Sequence, residues 1–289
     1  MSPTLAGMLL GLSASASWAL ANVVVQRAGR SIGAVPALFW ALLAGVAISG
    51  TGSAALDPHG ASFSPAAAGW LAVAGVAGLM AYACLFYAFE HGRLTLAVPI
   101  MSSWAVLSAG LSIVLFHERL TSAQLGGAAA VIAGAVIVAQ QAQRPQANAQ
   151  AGRRGWLPAS VGTAVGFGVV VPAMRRLAPV FGSVGTIGAV YAAALILAIP
   201  LILALRIRLP LPPRRAWSWI LLSGLLETLG SVCITIGSRR APLAIVSPLA
   251  SLASAITVAF AWAVLHERPP RGVLVGAALV STGVVVLAL

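Results

Sequence analysis

Five acidic residues carry all the negative charge in this 289-residue sequence, and their placing decides what chemistry it can do. Asp57 falls in a loop, Glu90 ends an apolar stretch, and Glu118 and Glu267 follow two others. Glu227 lies in the middle of an apolar stretch, between Leu225-Leu226 and Thr228-Leu229. A carboxylate at a bilayer centre costs at least about 2.5 kcal/mol, so Glu227 must face a protein interior or a wet cavity. A group so placed suits proton coupling or cation binding. The competing reading is a structural carboxyl, permanently protonated and bonded to a neighbouring hydroxyl.

Other candidates also lie inside apolar stretches. Trp18, Tyr82 and Trp104 could stack on an apolar or cationic substrate, and Asn22 could supply a polar contact. Tyr87 and Tyr191 are also internal aromatics, with a weaker claim. Pro99 and Pro248 each remove a backbone hydrogen bond and bend a helix, which fits either gating or a static bend. The carboxyl-terminal helix dipole accounts for the triplets His117-Glu118-Arg119 and His266-Glu267-Arg268 as structural motifs, with Glu paired to Arg. All four histidines fall at stretch ends or in loops, so no metal site is expected.

Catalysis finds little support. No His lies deep enough to serve a nucleophilic Ser, and Asp57 is the sole Asp. No Lys occurs, so no Walker-type nucleotide loop can form. The chain is expected not to be an enzyme and to need no cofactor, apart from a proton that could be coupled to its action.

These residues need a scaffold that crosses a membrane. The sequence is 60% hydrophobic and only 8% charged, beyond what a soluble interior can hide. Ten stretches are long enough to span a hydrocarbon core of about 30 Å. They run over 3–25, 32–51, 66–89, 94–116, 123–141, 156–174, 183–205, 216–237, 242–265 and 271–289. They lack the sustained alternation of a membrane β-barrel, so the expected class is an all-α integral membrane protein with ten transmembrane helices. The first stretch has no preceding cation and is read as a retained helix rather than a signal peptide.

All 17 cations are Arg, and they gather between or at the ends of spans. That places the charge at membrane interfaces and excludes nucleic acid as a partner. Arg119, Arg175, Arg176, Arg239 and Arg240 follow even-numbered spans, and the other twelve follow odd-numbered ones. By the positive-inside rule both termini then face outward.

Sliding the chain against itself reveals one offset, 149 residues, without gaps. Cys84 falls on Cys233, Trp70 on Trp219, Pro99 on Pro248 and Ser102 on Ser251. His117-Glu118-Arg119 falls on His266-Glu267-Arg268, and Gly127 and Gly134 fall on Gly276 and Gly283. Residues 1–140 and 155–289 are thus two five-helix repeats joined by a polar linker at 141–154. An odd number of spans inverts the second repeat, an arrangement that puts a substrate site near the bilayer midplane. Glu227 has Gly78 as its repeat mate, so its chemistry belongs to one half only.

The Pro near the start of each fourth helix, the Glu just after it and the Gly-rich fifth helix carry a resemblance. They run from Pro99 to Glu118 and on to Gly134, and from Pro248 to Glu267 and on to Gly283. The chain resembles the EamA-type branch of the drug/metabolite transporter superfamily. The resemblance implies a secondary active transporter, multi-pass in the cell's inner membrane, that exports a small metabolite, amino acid or drug-like compound by alternating access. It also implies a cavity lined mainly by helices 3, 4, 8 and 9, with contributions from 1 and 6, and cytoplasmic termini, opposite to the arginine count. The expected partners are a small-molecule substrate and the lipid bilayer, with the chain acting as a monomer or homodimer. A flippase for lipids or lipid-linked sugars, also found in this superfamily, is the alternative.

Overall fold

The structure, a computed structural model, describes residues 2–57, 64–142, 155–264 and 270–288. The polar linker and His266-Glu267-Arg268 therefore lie outside the described residues, apart from the linker's first two positions. Every regular element among the described residues is an α-helix. The first half contains α1 (Pro3–Ile32), α2 (Ala34–Leu56), α3 (Pro65–His91), α4 (Leu94–Met101), α5 (Trp104–Phe116) and α6 (Ser122–Ala142). The second contains α7 (Trp156–Phe181), α8 (Ser183–Ala204), α9 (Arg214–Arg240), α10 (Leu243–Ser251), α11 (Ala253–Val264) and α12 (Arg271–Ala288).

Local chemistry sets the boundaries. Ser2 and Ser64 each precede a Pro and accept from the backbone N–H three residues on, at 3.2 Å, opening α1 and α3. Gly33 and Gly182, which are repeat mates, turn the chain between α1 and α2 and between α7 and α8 with φ of 91° and 75°. That left-handed backbone favours glycine.

The fourth helix of each half is broken in two. The first break falls at Ser102-Ser103, between α4 and α5, and the second at Leu252, between α10 and α11. Each lies three or four residues beyond a Pro, Pro99 or Pro248. Ser102 donates to the Val98 carbonyl at 3.1 Å, Ser103 to Ile100 at 2.8 Å and Ser251 to Pro248 at 2.8 Å. Irregular backbone at this depth must be satisfied internally, and these hydroxyls do part of that. Ser247 takes a different partner, the Ser108 hydroxyl at 3.0 Å.

Among the described residues, eight spans are long and apolar enough to cross a membrane, with α4–α5 counted as one span and α10–α11 as another, over Leu243–Ala261. Two more, Ser122–Val138 and Arg271–Leu287, are apolar but shorter. They are the small-residue helices α6 and α12, which lie antiparallel. A Cβ on Gly127 would come within 2.7 Å of the Gly283 carbonyl, and one on Gly134 within 2.6 Å of the Gly276 carbonyl. Small residues let backbones approach this closely in lipid, where packing rather than water drives association.

The two halves interlock along their whole length. The α1–α9 pair runs antiparallel, from Gly7 beside Gly237 through the Ser17 hydroxyl on the Leu226 carbonyl to Arg27 over the Trp219 ring. The α3–α7 pair repeats this arrangement, with Ala81 beside Gly166 and Cys84 beside Gly162. Cys84 and Cys233 are free thiols. Trp156 is 2% exposed and packs on Gly92.

Two acids of the first half close helix starts. Asp57 accepts from the N–H groups of Val184 and Gly185 at 2.8 and 2.9 Å, capping α8 across the repeat boundary. Glu90 accepts from Ala34 N–H at 2.6 Å and caps α2.

The seam between α6 and α12 yields a test by sign. Alanine improves helix propensity over glycine by up to about 1 kcal/mol. At Gly126 a Cβ meets nothing within 4 Å, whereas at Gly134 it meets backbone. Gly126→Ala should leave the thermal unfolding midpoint in detergent unchanged or raised. Gly134→Ala should lower it, by about 1–3 kcal/mol of stability.

Candidate functional site

The broken helices and the α1–α9 and α3–α7 pairs surround a central cavity. Trp18 and Asn22 of α1 line it, with Leu85 of α3. Val98, Met101, Ser102 and Trp104 line it from the first break, and Ser251, Ala253 and Ser254 from the second. Thr163, Phe167 and Val171 of α7 and Glu227 of α9 complete the wall. With its open mouth this space holds about 530 Å³. Both halves contribute, and the two breaks meet there: the Ser102 hydroxyl reaches the carbonyl of its own repeat mate, Ser251, at 3.5 Å.

Glu227 is the middle residue of α9 and is 8% exposed. Among the described residues no protein donor bonds its carboxylate. It is also not among the buried polar groups sealed without a partner, because it opens onto the cavity.

The aromatic residues arrange around it. Trp18 and Trp104 meet edge to face, with centroids 5.9 Å apart and planes at 87°. Trp18 fits against α9 because Gly230 lacks a side chain; a Cβ there would lie 2.6 Å from the indole nitrogen. Phe167 stands edge-on to Tyr82 at 5.0 Å. Tyr82 itself lies behind the wall, in a second, smaller space that it shares with Tyr191 and Glu227. The two tyrosine hydroxyls hydrogen-bond at 3.3 Å.

Asn22 is held by one bond. Thr257 gives its proton to the Ala253 carbonyl at 2.7 Å and accepts from the Asn22 amide nitrogen at 3.0 Å. A hydroxyl with its hydrogen committed can only accept, which turns the amide nitrogen of Asn22 toward Thr257 and its oxygen away.

Glu118 sits outside the cavity and performs a different task. Its carboxylate accepts from Arg175, at the far end of α7, and from the N–H groups of Leu243 and Ala244 at 2.9 and 3.0 Å. It thereby clamps the start of α10 to α7. Arg175 and Arg176 lie over the Phe116 ring, and Arg176 also donates to the Leu115 carbonyl. The expectation that Glu118 pairs within its own triplet is corrected: Arg119 is exposed, and the partner is a cation from the other half. His117 is exposed and ends α5 in the left-handed conformation, with φ of 55°. Burial alone would raise the Glu118 carboxyl, but the bonds from Arg175, Ala244, Leu243 and Ser112 outweigh it and hold it below the ordinary carboxylate range.

Of the candidate residues, Trp18, Asn22, Trp104 and Glu227 thus share one cavity. Tyr82 backs its wall, and Pro99 and Pro248 stand just before the breaks that line it. Phe167 and Thr163 joined this wall with no signal in their own sequence neighbourhood. Tyr191 was marked only as an internal aromatic.

Membrane-crossing helices around a polar-centred cavity built by both halves define a membrane transporter. The chain belongs to the EamA-like transporter family, whose model matches residues 5–140 and again residues 155–289. No curated protein sequence matches it. A solved structure known only as "Crystal structure of protein" superposes with a TM-score of 0.72 over 97% of this chain and 96% of its own, at 20% identity. That likeness shows a shared fold.

The Glu118 clamp has a pH signature. A carboxyl held below its unfolded value, about 4.3, stabilises the fold fully above that value and loses the effect as pH falls through the folded one. Glu118→Gln should lower stability by about 1–3 kcal/mol near neutral pH. The gap to the unmodified chain, read as a difference in unfolding midpoints, should close as pH falls below about 4.

Proposed function

We propose that this chain is a ten-helix secondary active transporter of two inverted repeats, carrying a small organic molecule across the inner membrane by alternating access. The central cavity is its substrate site, and Glu227 is the group that couples transport to a proton or another cation. The observation that carries this reading is a carboxylate at the midpoint of a spanning helix, open to a cavity and bonded to no protein donor. Such a group is costly in a membrane, and intramembrane acids of this kind mark ion and substrate pathways.

The crosswise contacts between halves support the inverted arrangement. Gly127 meets Gly283 while Gly134 meets Gly276, and Ser102 meets its own mate Ser251, as a two-fold axis would require. Two helices broken at mid-depth beside the cavity support alternating access, since breaks there are where transporters bind and hinge. Outward transport of a metabolite or drug-like compound is the direction that the family resemblance implies.

Glu227→Gln in proteoliposomes should fold, bind lipid and run as the unmodified chain does on gel filtration. It should lose uptake driven by an imposed pH gradient while exchange down a substrate gradient survives. Unchanged gradient-driven uptake in this variant would defeat the assignment.

A further inference from the structure

The cavity has a polarity that selects among small organic molecules. Its described wall contains one ionisable group, Glu227, and no cation. The hydroxyls of Ser102, Ser251 and Thr163 give their protons to helix carbonyls, Thr163 to that of Ala159 at 3.0 Å, so they face the space as acceptors. At the first break the backbone N–H groups of Ser102, Ser103, Ala105 and Val106 are already bonded. The Trp18 N–H is sealed against α9 at Gly230 and offers nothing to a ligand. Trp104 supplies an indole N–H, Asn22 the second hydrogen of its amide nitrogen and Ser254 a hydroxyl, all of them neutral donors.

A ligand suited to this wall brings donors and positive charge. A buried carboxylate with no cation to answer it would be strongly disfavoured, more so beside a second carboxylate. An ammonium would bond Glu227 directly with charge-assisted hydrogen bonds, and the rings of Trp18, Trp104 and Phe167 would cover its apolar body and attract its charge. We infer that the site takes protonated primary or secondary amines carried on an apolar or aromatic body, and rejects carboxylates and zwitterionic amino acids. The inference rests on the cavity being the substrate site, as proposed above. Quaternary ammonium compounds lack the N–H groups these acceptors call for and should bind more weakly.

The test is equilibrium binding of radiolabelled 2-phenylethylamine to the full chain in lipid nanodiscs at neutral pH. The competitors are 2-phenylethanol, the N-trimethyl derivative of the amine, 3-phenylpropionate and phenylalanine. The amine should bind at least about tenfold more tightly than the alcohol or the trimethyl compound. Phenylpropionate and phenylalanine should not compete. Glu227→Gln should weaken the amine by about tenfold or more and the alcohol by far less. Because the selectivity is read on the unmodified chain, it stands whether or not the variant folds. Binding of phenylpropionate or phenylalanine as tight as that of the amine would overturn the inference, and so would absence of amine binding. If the same chain still carried another of these compounds into proteoliposomes, the amine class alone would fall and the transport reading would stand.

Discussion

A helix that starts where water is scarce has N–H groups in its first turn with no partner, and this constraint organises the protein. Three carboxylates meet it. Asp57 closes the start of α8, Glu90 that of α2 and Glu118 that of α10. Each also places negative charge at the positive end of a helix dipole. Asp57 and Glu118 do so across the boundary between halves, so the same bonds that satisfy helix starts hold the two repeats around their shared cavity. Once these acids are so committed, Glu227 is the described carboxylate that no helix start occupies.

The scaffold and the chemistry obey different symmetries. Scaffold contacts come in mirrored sets: α1 with α9 and α7 with α3, the two glycine contacts of the α6–α12 seam, and the meeting of the two breaks at Ser102 and Ser251. The cavity's charge is one-sided. Glu227 has Gly78 as its repeat mate, and Trp18 meets Trp104 edge to face without an equivalent pair in the other half. In the proposed reading, a near-symmetric frame would supply the two related arrangements that alternating access needs. A single carboxylate within it would then be the one place where a charge or proton is handled in either arrangement.

Much of this was legible in the sequence. Hydropathy marked the spans, and a 149-residue offset carrying Trp, Cys, Pro and the His-Glu-Arg triplets revealed the duplication. Glu227 stood out because charge inside an apolar run is costly whatever the fold. What stayed hidden depends on contacts between distant positions. Glu118 looked like part of a local triplet, but its partners are Arg175 and the first N–H groups of α10. Pro99 and Pro248 announced bends, yet the breaks fall at Ser102-Ser103 and Leu252, where hydroxyls take up carbonyls. Tyr82 looked like a cavity residue and turned out to back the wall, because which face of a helix meets the cavity is settled by its neighbours. Phe167 falls on Trp18 at the 149-residue offset, which could have marked it, whereas Thr163 carries no sequence mark, since a hydroxyl in a spanning helix is ordinary until something faces it.

The central claim is that one cavity around Glu227 is reached in turn from the two sides of the membrane. Thiol accessibility tests this most directly. With Cys84 and Cys233 replaced by Ala, a Cys at Ser254, on the cavity wall, would be exposed to a membrane-impermeant thiol reagent applied to one side at a time. The account predicts labelling from both sides, with a bound ligand slowing both and a transmembrane ion gradient shifting the balance between them. Labelling from one side only, under every ligand and gradient condition, would contradict it.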